Sequence, residues 1–162
     1  RFETNWSGIY NIDSVGINGF SLEANKAFGP LSSLNANATW QKSSKAGDLF
    51  DTDNLLNGLD SMPKFKLNLS YERKLKNFRG SVLALGARYV GKQDQIYTFG
   101  KNVNRLVKVD SFTIFDAGIK IPLERGYQAE IFVDNVFNKK YEEKFGYPLM
   151  GRTIRASMKV DF

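Results

Sequence analysis

The carboxy-terminal stretch Gly151-Arg152-Thr153-Ile154-Arg155-Ala156-Ser157-Met158-Lys159-Val160-Asp161-Phe162 decides the fold. From Ile154 onward every second residue is apolar: Ile154, Ala156, Met158, Val160 and Phe162. The residues between them, Arg155, Ser157, Lys159 and Asp161, are all polar or charged, as is Thr153 before them. Alternation with period 2 is the mark of a strand whose two faces meet different surroundings. A helix would spread the same apolar residues around its circumference.

Working back from that strand, turn signals divide the chain into about seven segments of the same kind. The expected strands run from Ser14 to Phe28, Ser33 to Gln41, Lys64 to Glu72, Gly80 to Val90, Ser111 to Ile121, Tyr127 to Asn135 and Ile154 to Phe162. Two of them alternate as strictly as the last. Leu34, Ala36, Ala38 and Trp40 share one parity in the second, and Phe65, Leu67, Leu69 and Tyr71 share one in the third. In the sixth, Phe132 breaks the pattern by standing among the polar set. No helical periodicity competes.

The connections alternate too. Gly29-Pro30, Lys74 to Gly80 and Pro122 to Gly126 are tight, whereas Ser43 to Pro63, Gly91 to Asp110 and Val136 to Gly151 are long. In an antiparallel meander every second connection lies at the same end, so one end of the sheet is trimmed and the other elaborate. Structureless loops of this length are uncommon in compact soluble domains. Short turns at the periplasmic end and long loops outside are what outer-membrane barrels show. On that reading the carboxy terminus points to the periplasm.

Periodicity alone fits a soluble sheet or barrel with an apolar interior as well as a lipid-facing wall. Two features favour lipid. Trp40, Phe65, Tyr71, Tyr89, Tyr127 and Phe162 sit near segment ends, where interfacial girdles belong. About ten residues at ~3.3 Å rise, tilted by ~45°, also span roughly the ~25 Å apolar band of such barrels. The apolar parity is nearly free of charge, as lipid exposure requires.

Composition narrows the function. The chain has 162 residues, 42% of them hydrophobic and 14% aromatic, with a formal charge of +6. Cations and carboxylates are interleaved, so no nucleic-acid surface is expected. There is no His and no Cys, which removes the usual general base, thiolate metal sites and paired nucleophiles. An enzyme is therefore not expected, and no cofactor or metal is implied. The chain opens on Arg1-Phe2-Glu3-Thr4 without an initiator Met, as expected of a processed protein or a piece of a longer one.

Asn135-Val136-Phe137-Asn138-Lys139-Lys140-Tyr141-Glu142, then Gly146-Tyr147-Pro148 and Gly151-Arg152-Thr153 before the closing strand, resembles the carboxy-terminal signature of TonB-dependent outer-membrane receptors. Asn18-Gly19-Phe20-Ser21-Leu22-Glu23-Ala24 is similar to the G-x-E-x-E segment of that family, and Leu83 to Gly91 to its strand ending R-Y-V-G. Met150 stands where Pro is usual before Gly-Arg, and Ser21 where the first acidic residue is usual. Gly151 is expected to turn the loop into the last strand, with Asn135 and Asn138 ending strands.

The resemblance implies an all-β, antiparallel transmembrane barrel, of which residues 1–162 would form about seven carboxy-terminal strands out of about 22. Open sheet edges are not tolerated in hydrocarbon, so the remaining strands, and the plug that contacts the TonB complex, are expected elsewhere in the same polypeptide or in another chain. Further implied partners are outer-membrane lipid, lipopolysaccharide and the barrel-assembly machinery. Recognition by that machinery would fall on Ile154, Ala156, Met158, Val160 and Phe162. The implied function is active uptake across the bacterial outer membrane, of a ferric siderophore first, with cobalamin or another nutrient, or a passive porin, as alternatives. The long loops offer Tyr97, Phe99, Lys101, Arg105 and Tyr147 as substrate contacts, with Trp6, Tyr10 and Lys108 near them in type.

Overall fold

The computed structural model describes residues 14–46, 62–99 and 103–160. Its strands are β1 (Ser14–Phe28), β2 (Ser32–Ala46), β3 (Phe65–Leu75), β4 (Ser81–Val90), β5 (Gln93–Phe99), β6 (Val103–Val109), β7 (Phe112–Pro122), β8 (Tyr127–Asp134), β9 (Glu142–Lys144), β10 (Tyr147–Pro148) and β11 (Thr153–Val160). β1, β2, β3, β4, β7, β8 and β11 make one seven-stranded antiparallel sheet in that order, each strand beside its predecessor. The seven expected strands are all present. Within the described residues the sheet is open and does not close into a barrel.

Register follows from parity. Slipping one strand by a single residue would set its apolar side chains against its neighbour's polar ones. The observed pairing keeps them in rows: Leu34 faces Tyr71, Tyr71 faces Leu85, Leu85 faces Ala117, Ala117 faces Val133 and Val133 faces Ile154. A second row runs Ala24, Ala36, Leu69, Ala87, Phe115. The same face carries Phe20 at 67% exposure and Ile154 at 69%, with Leu85, Phe115 and Ile131 also exposed. No second layer of described residues covers it. The first charges on this parity in β1 and β3, Lys26 and Arg73, come only at the trimmed end.

Aromatic rings gather near the elaborate end of the apolar band. Phe20 stacks on Trp40 with centroids 5.9 Å apart, Trp40 faces Phe65, and Phe65 lies 6.0 Å from Tyr89. Phe137 meets Phe115 edge-on at 5.4 Å on the same side.

The opposite face is polar and bonded across strands. Ser21 Oγ and Thr39 Oγ1 lie 3.0 Å apart, Asn35 donates to Asn25 at 2.6 Å, and Arg155 grips Asp134 through two nitrogens at 2.9 and 3.0 Å. Phe132, the exception to the alternation, belongs to this face. It lies over Gly118, its register partner on β7, and beneath the Arg155 guanidinium, whose carbon is 5.3 Å from the ring centroid. An aromatic ring laid over a strand glycine fills the space that the glycine leaves and restores cross-strand packing.

Two expectations need correction. β2 runs to Ala46 rather than Gln41, because Lys42 to Lys45 are polar on both parities and still pair with β1 beyond the apolar band. Two of the three long connections are also not structureless: 93–99 pairs with 103–109 as the β5–β6 hairpin, and 136–152 carries β9–β10; most of the connection 43–63 lies outside the described residues. Tight turns behave as expected, with Gly29 and Gly80 at φ +70° and +72°, where a side chain would be strained.

Candidate binding surface at the loop end

β8 leaves the sheet through a bonded corner. Asn135 is 2% exposed, and its backbone has φ 51°, a left-handed conformation that Asn tolerates better than most residues. Its N–H donates to Asp116 Oδ1, its side-chain amide donates to the Lys139 carbonyl, and its Oδ1 accepts from the Lys139 N–H, each at 2.8 Å. One buried side chain thus closes the loop on itself in both directions. Asn138, at φ 54°, accepts from the Arg152 N–H at 2.9 Å.

Gly151 differs from expectation. Its backbone is not among the positive-φ positions, so turning the chain is not what demands glycine there. A Cβ on Gly151 would collide with Asn138 Oδ1, so close approach is the reason. Met150, in the place of the usual proline, is exposed.

The returning segment then folds over the polar face. Tyr141 packs against Phe112 with centroids 4.5 Å apart and the rings tilted by 41°, beside a small buried cluster of Val90, Phe112 and Ile114. These residues and Arg88 occupy the polar parity of β4 and β7. Here the inner side of the wall is apolar beneath a covering loop.

Glu143 ties this segment to the β5–β6 hairpin. Its carbonyl accepts from Gln93 Nε2 at 2.6 Å and Gln95 Nε2 at 3.0 Å, and Gln95 Oε1 accepts from the Phe145 N–H at 2.9 Å. Both glutamines are buried, Gln95 at 3% exposure. The Glu143 carboxylate pairs with Arg88 Nη1 at 3.3 Å, and the Arg88 guanidinium carbon lies 5.8 Å from the Phe112 centroid. Tyr97 meets Phe145 edge-on at 5.2 Å. The two long connections are thus one assembly, seated on the wall.

Of the expected substrate contacts, Tyr97 and Arg105 are direct cross-strand partners in the hairpin. Phe99 pairs with Val103 near the hairpin end. Tyr147 lies in β10, 60% exposed, with Lys144 Nζ 5.4 Å from its ring centroid. Lys101, Trp6 and Tyr10 lie outside the described residues, as does Phe162. Ile154, Ala156, Met158 and Val160 take the outward parity of β11, each opposite an apolar residue or aromatic of β8. Sequence reasoning missed Arg88, Gln93, Gln95 and Glu143. The signal available was Gln93-x-Gln95-x-Tyr97, three groups able to hydrogen-bond, on one side of a strand.

An antiparallel wall, apolar outside and polar inside, with its loops folded over one end, is the geometry shared by outer-membrane receptor barrels. The family profile described as TonB dependent receptor-like, beta-barrel matches residues 2–138. The chain belongs to the TonB-dependent receptor family. Among curated proteins no sequence match is found. Solved receptor structures share the fold. The Pseudomonas aeruginosa receptor FpvA bound to heterologous pyoverdines is 19% identical with a TM-score of 0.75, over 91% of this chain and 20% of that one. The ferric-catecholate import receptor Fiu of Escherichia coli K12 is 19% identical with a TM-score of 0.72, over 90% of this chain and 21% of its own. The ferric yersiniabactin uptake receptor FyuA of Yersinia pestis is 20% identical with a TM-score of 0.71, over 91% and 24%. The receptor chain therefore spans about a fifth to a quarter of the length of these proteins. Its family and its structural neighbours are transport receptors.

Proposed function

We propose that this chain forms part of the wall and mouth of an outer-membrane transporter that takes up a ferric siderophore with energy delivered through TonB. The supporting observation is the division of surfaces: an apolar face with no described layer over it, and loops that fold toward the polar side. Lipid outside and a lumen inside account for both. The further strands that close the barrel, and the plug that TonB remodels, are supplied by additional sequence. The outward row Ile154, Ala156, Met158 and Val160, with Phe162, serves barrel assembly. Lipid and lipopolysaccharide surround the aromatic band.

The siderophore assignment draws on the neighbours, whose bound or imported ligands are pyoverdine, a ferric catecholate and yersiniabactin. At the loop end Tyr97, Arg105 and Tyr147 provide aromatic and cationic contacts for such a chelate, and Phe99 and Lys101 of the same connection are further candidates by residue type. The test is growth of a strain lacking the locus on single iron or cobalamin sources, with uptake of labelled iron measured with and without a protonophore. Loss of one ferric siderophore as iron source, with uptake abolished by the protonophore, is expected. Loss of cobalamin uptake alone, or uptake indifferent to the protonophore, would replace the siderophore reading with a vitamin receptor or a passive pore.

A further inference from the structure

Charge on the main sheet is sorted by face. All five carboxylates of its strands, Glu23, Glu72, Asp116, Glu130 and Asp134, stand on the polar parity. The outward parity carries Lys26, Lys42 and Arg73 and no carboxylate. Each of these cations lies just past an end of the apolar band. Lys42 follows Trp40 at the loop end, while Lys26 follows Ala24 and Arg73 follows Tyr71 at the trimmed end. An edge made only for water has no reason to leave out one sign of charge. An edge that meets phosphate headgroups does, because they repel carboxylates and attract cations.

Beside Arg73 the trimmed end is hollowed. A groove of about 440 Å³ runs between Leu31 and the β3–β4 turn, lined by Leu75 and Phe78 and by the cations Arg73, Lys74 and Lys76, with no carboxylate in its lining. The turn that forms it is pinned. Ser81 is fully buried, and its N–H, at 2.8 Å, and its hydroxyl, at 2.6 Å, both donate to the Phe78 carbonyl. Across the groove the Lys74 N–H donates to the Leu31 carbonyl at 2.7 Å. Phe78 is thereby held exposed at the rim, the level at which aromatic rings anchor a barrel in its bilayer. Phe28, Ser32 and Arg73 form one cross-strand row, so Lys26 stands on the same face as Arg73, two strands or roughly 10 Å away. None of Lys26, Arg73, Lys74 and Lys76 forms an ion pair among the described residues.

We propose that the trimmed rim of β1 to β4 is a docking surface for a phospholipid of net negative charge. Its phosphate faces Arg73 and Lys76, with Lys26 as a further cation on the same face, and its acyl chains lie along the outward rows above. The surface rests on the reading of the apolar face as the one turned toward lipid, and is independent of which nutrient the transporter carries. A lipid fits better than a free anion for two reasons. Arg73 shares its face with Leu83, Tyr71 and Leu85, and Leu31, Leu75 and Phe78 give the groove apolar walls that a small soluble ion leaves unused.

The experiment uses the intact polypeptide that carries this chain, purified in detergent and titrated with phosphatidylglycerol or, as a control of zero net charge, phosphatidylcholine. Bound lipid is counted by native mass spectrometry. Wild type is expected to bind phosphatidylglycerol more tightly than phosphatidylcholine. The triple substitution Lys26→Gln, Arg73→Gln, Lys76→Gln is expected to weaken phosphatidylglycerol roughly tenfold and to leave phosphatidylcholine unchanged. Lys120→Gln, at the same end but on the polar parity, is expected to change neither.

Equal affinity of wild type for the two lipids overturns the proposal, and that readout needs no variant to fold. So does a triple variant that keeps the preference, or a Lys120→Gln variant that loses it to the same extent. Displacement of the bound lipid by an equal concentration of soluble glycerol phosphate assigns the cations to a free anion and overturns the lipid. An intact protein that stays soluble without detergent and binds neither lipid would overturn the lipid-facing reading itself. One that inserts into phosphatidylcholine vesicles yet shows no preference for negative charge would overturn the docking surface alone.

Discussion

The ring of Phe132 occupies the space into which any side chain on Gly118 would project, so these two register partners on β8 and β7 fix each other's identity. Replacing Gly118 with alanine forces the ring away from Arg155 or the strands apart. Overpacking of this kind costs ~1–3 kcal/mol. The expected result is a lower urea midpoint for the folded, heat-modifiable species of the intact protein. The double variant Gly118→Ala, Phe132→Ala should recover part of the loss, and full additivity of the two would show that the contact is not what matters.

Asn135→Ala should be more damaging than its size suggests. It removes both side-chain hydrogen bonds to Lys139 and leaves part-buried backbone groups unpaired at about 1 kcal/mol or more, and it also puts alanine at a left-handed φ at a further ~1 kcal/mol. Asn135→Gly keeps the backbone conformation and loses only the bonds. Urea titration of the three proteins should therefore rank them wild type, Gly, Ala, and equal stability for Gly and Ala would mean that the conformation contributes nothing.

At the joint between the two long connections, the buried glutamines should outweigh the ion pair. Arg88 and Glu143 are both more than a third exposed, and such pairs contribute ~0–1 kcal/mol. Gln95 makes two bonds in a buried setting, to the Glu143 carbonyl and from the Phe145 N–H. Gln95→Ala should raise hydrogen exchange across 136–152 by about tenfold or more. Arg88→Gln should change it by less than about fivefold, and the reverse order would show that charge holds the assembly.

The orientation of the sheet is tested by lysine placed on either face. Ile131→Lys sets a charge in the middle of the outward row, where a lipid midplane costs ~2–4 kcal/mol. Asn68→Lys sets one on the polar face of β3. Yield in the outer-membrane fraction should fall steeply for the first and stay near wild type for the second. Equal tolerance of both would mean that the apolar face does not meet acyl chains.

Much of the wall is legible in the sequence, because a strand bordering two solvents writes its faces into residue parity. Leu34, Ala36, Ala38 and Trp40, and Ile154, Ala156, Met158 and Val160, needed nothing more. Phe132 is an exception to the same rule, since a single sequence does not show that Gly118 is its neighbour. The loop end was the least legible. Gln93, Gln95 and Glu143 act through backbone carbonyls and amides some 50 residues apart, and polar residues in a long connection give no periodic signal. Gly151 was recognised as necessary for the wrong reason, because a collision with Asn138 is invisible to turn chemistry.

Each strand of the sheet finds its partner in the strand that precedes it in the main sheet, even where the β5–β6 hairpin intervenes between β4 and β7. That hairpin closes its own ends, so the detour leaves only short gaps for the chain to search. Assembly can therefore run as a zipper, one ribbon laid against the last, without the crossovers that a sheet of another strand order would need. A lesion in a middle ribbon such as β4 should then stall everything laid down after it, whereas the same lesion in an outermost ribbon should leave the remainder able to form.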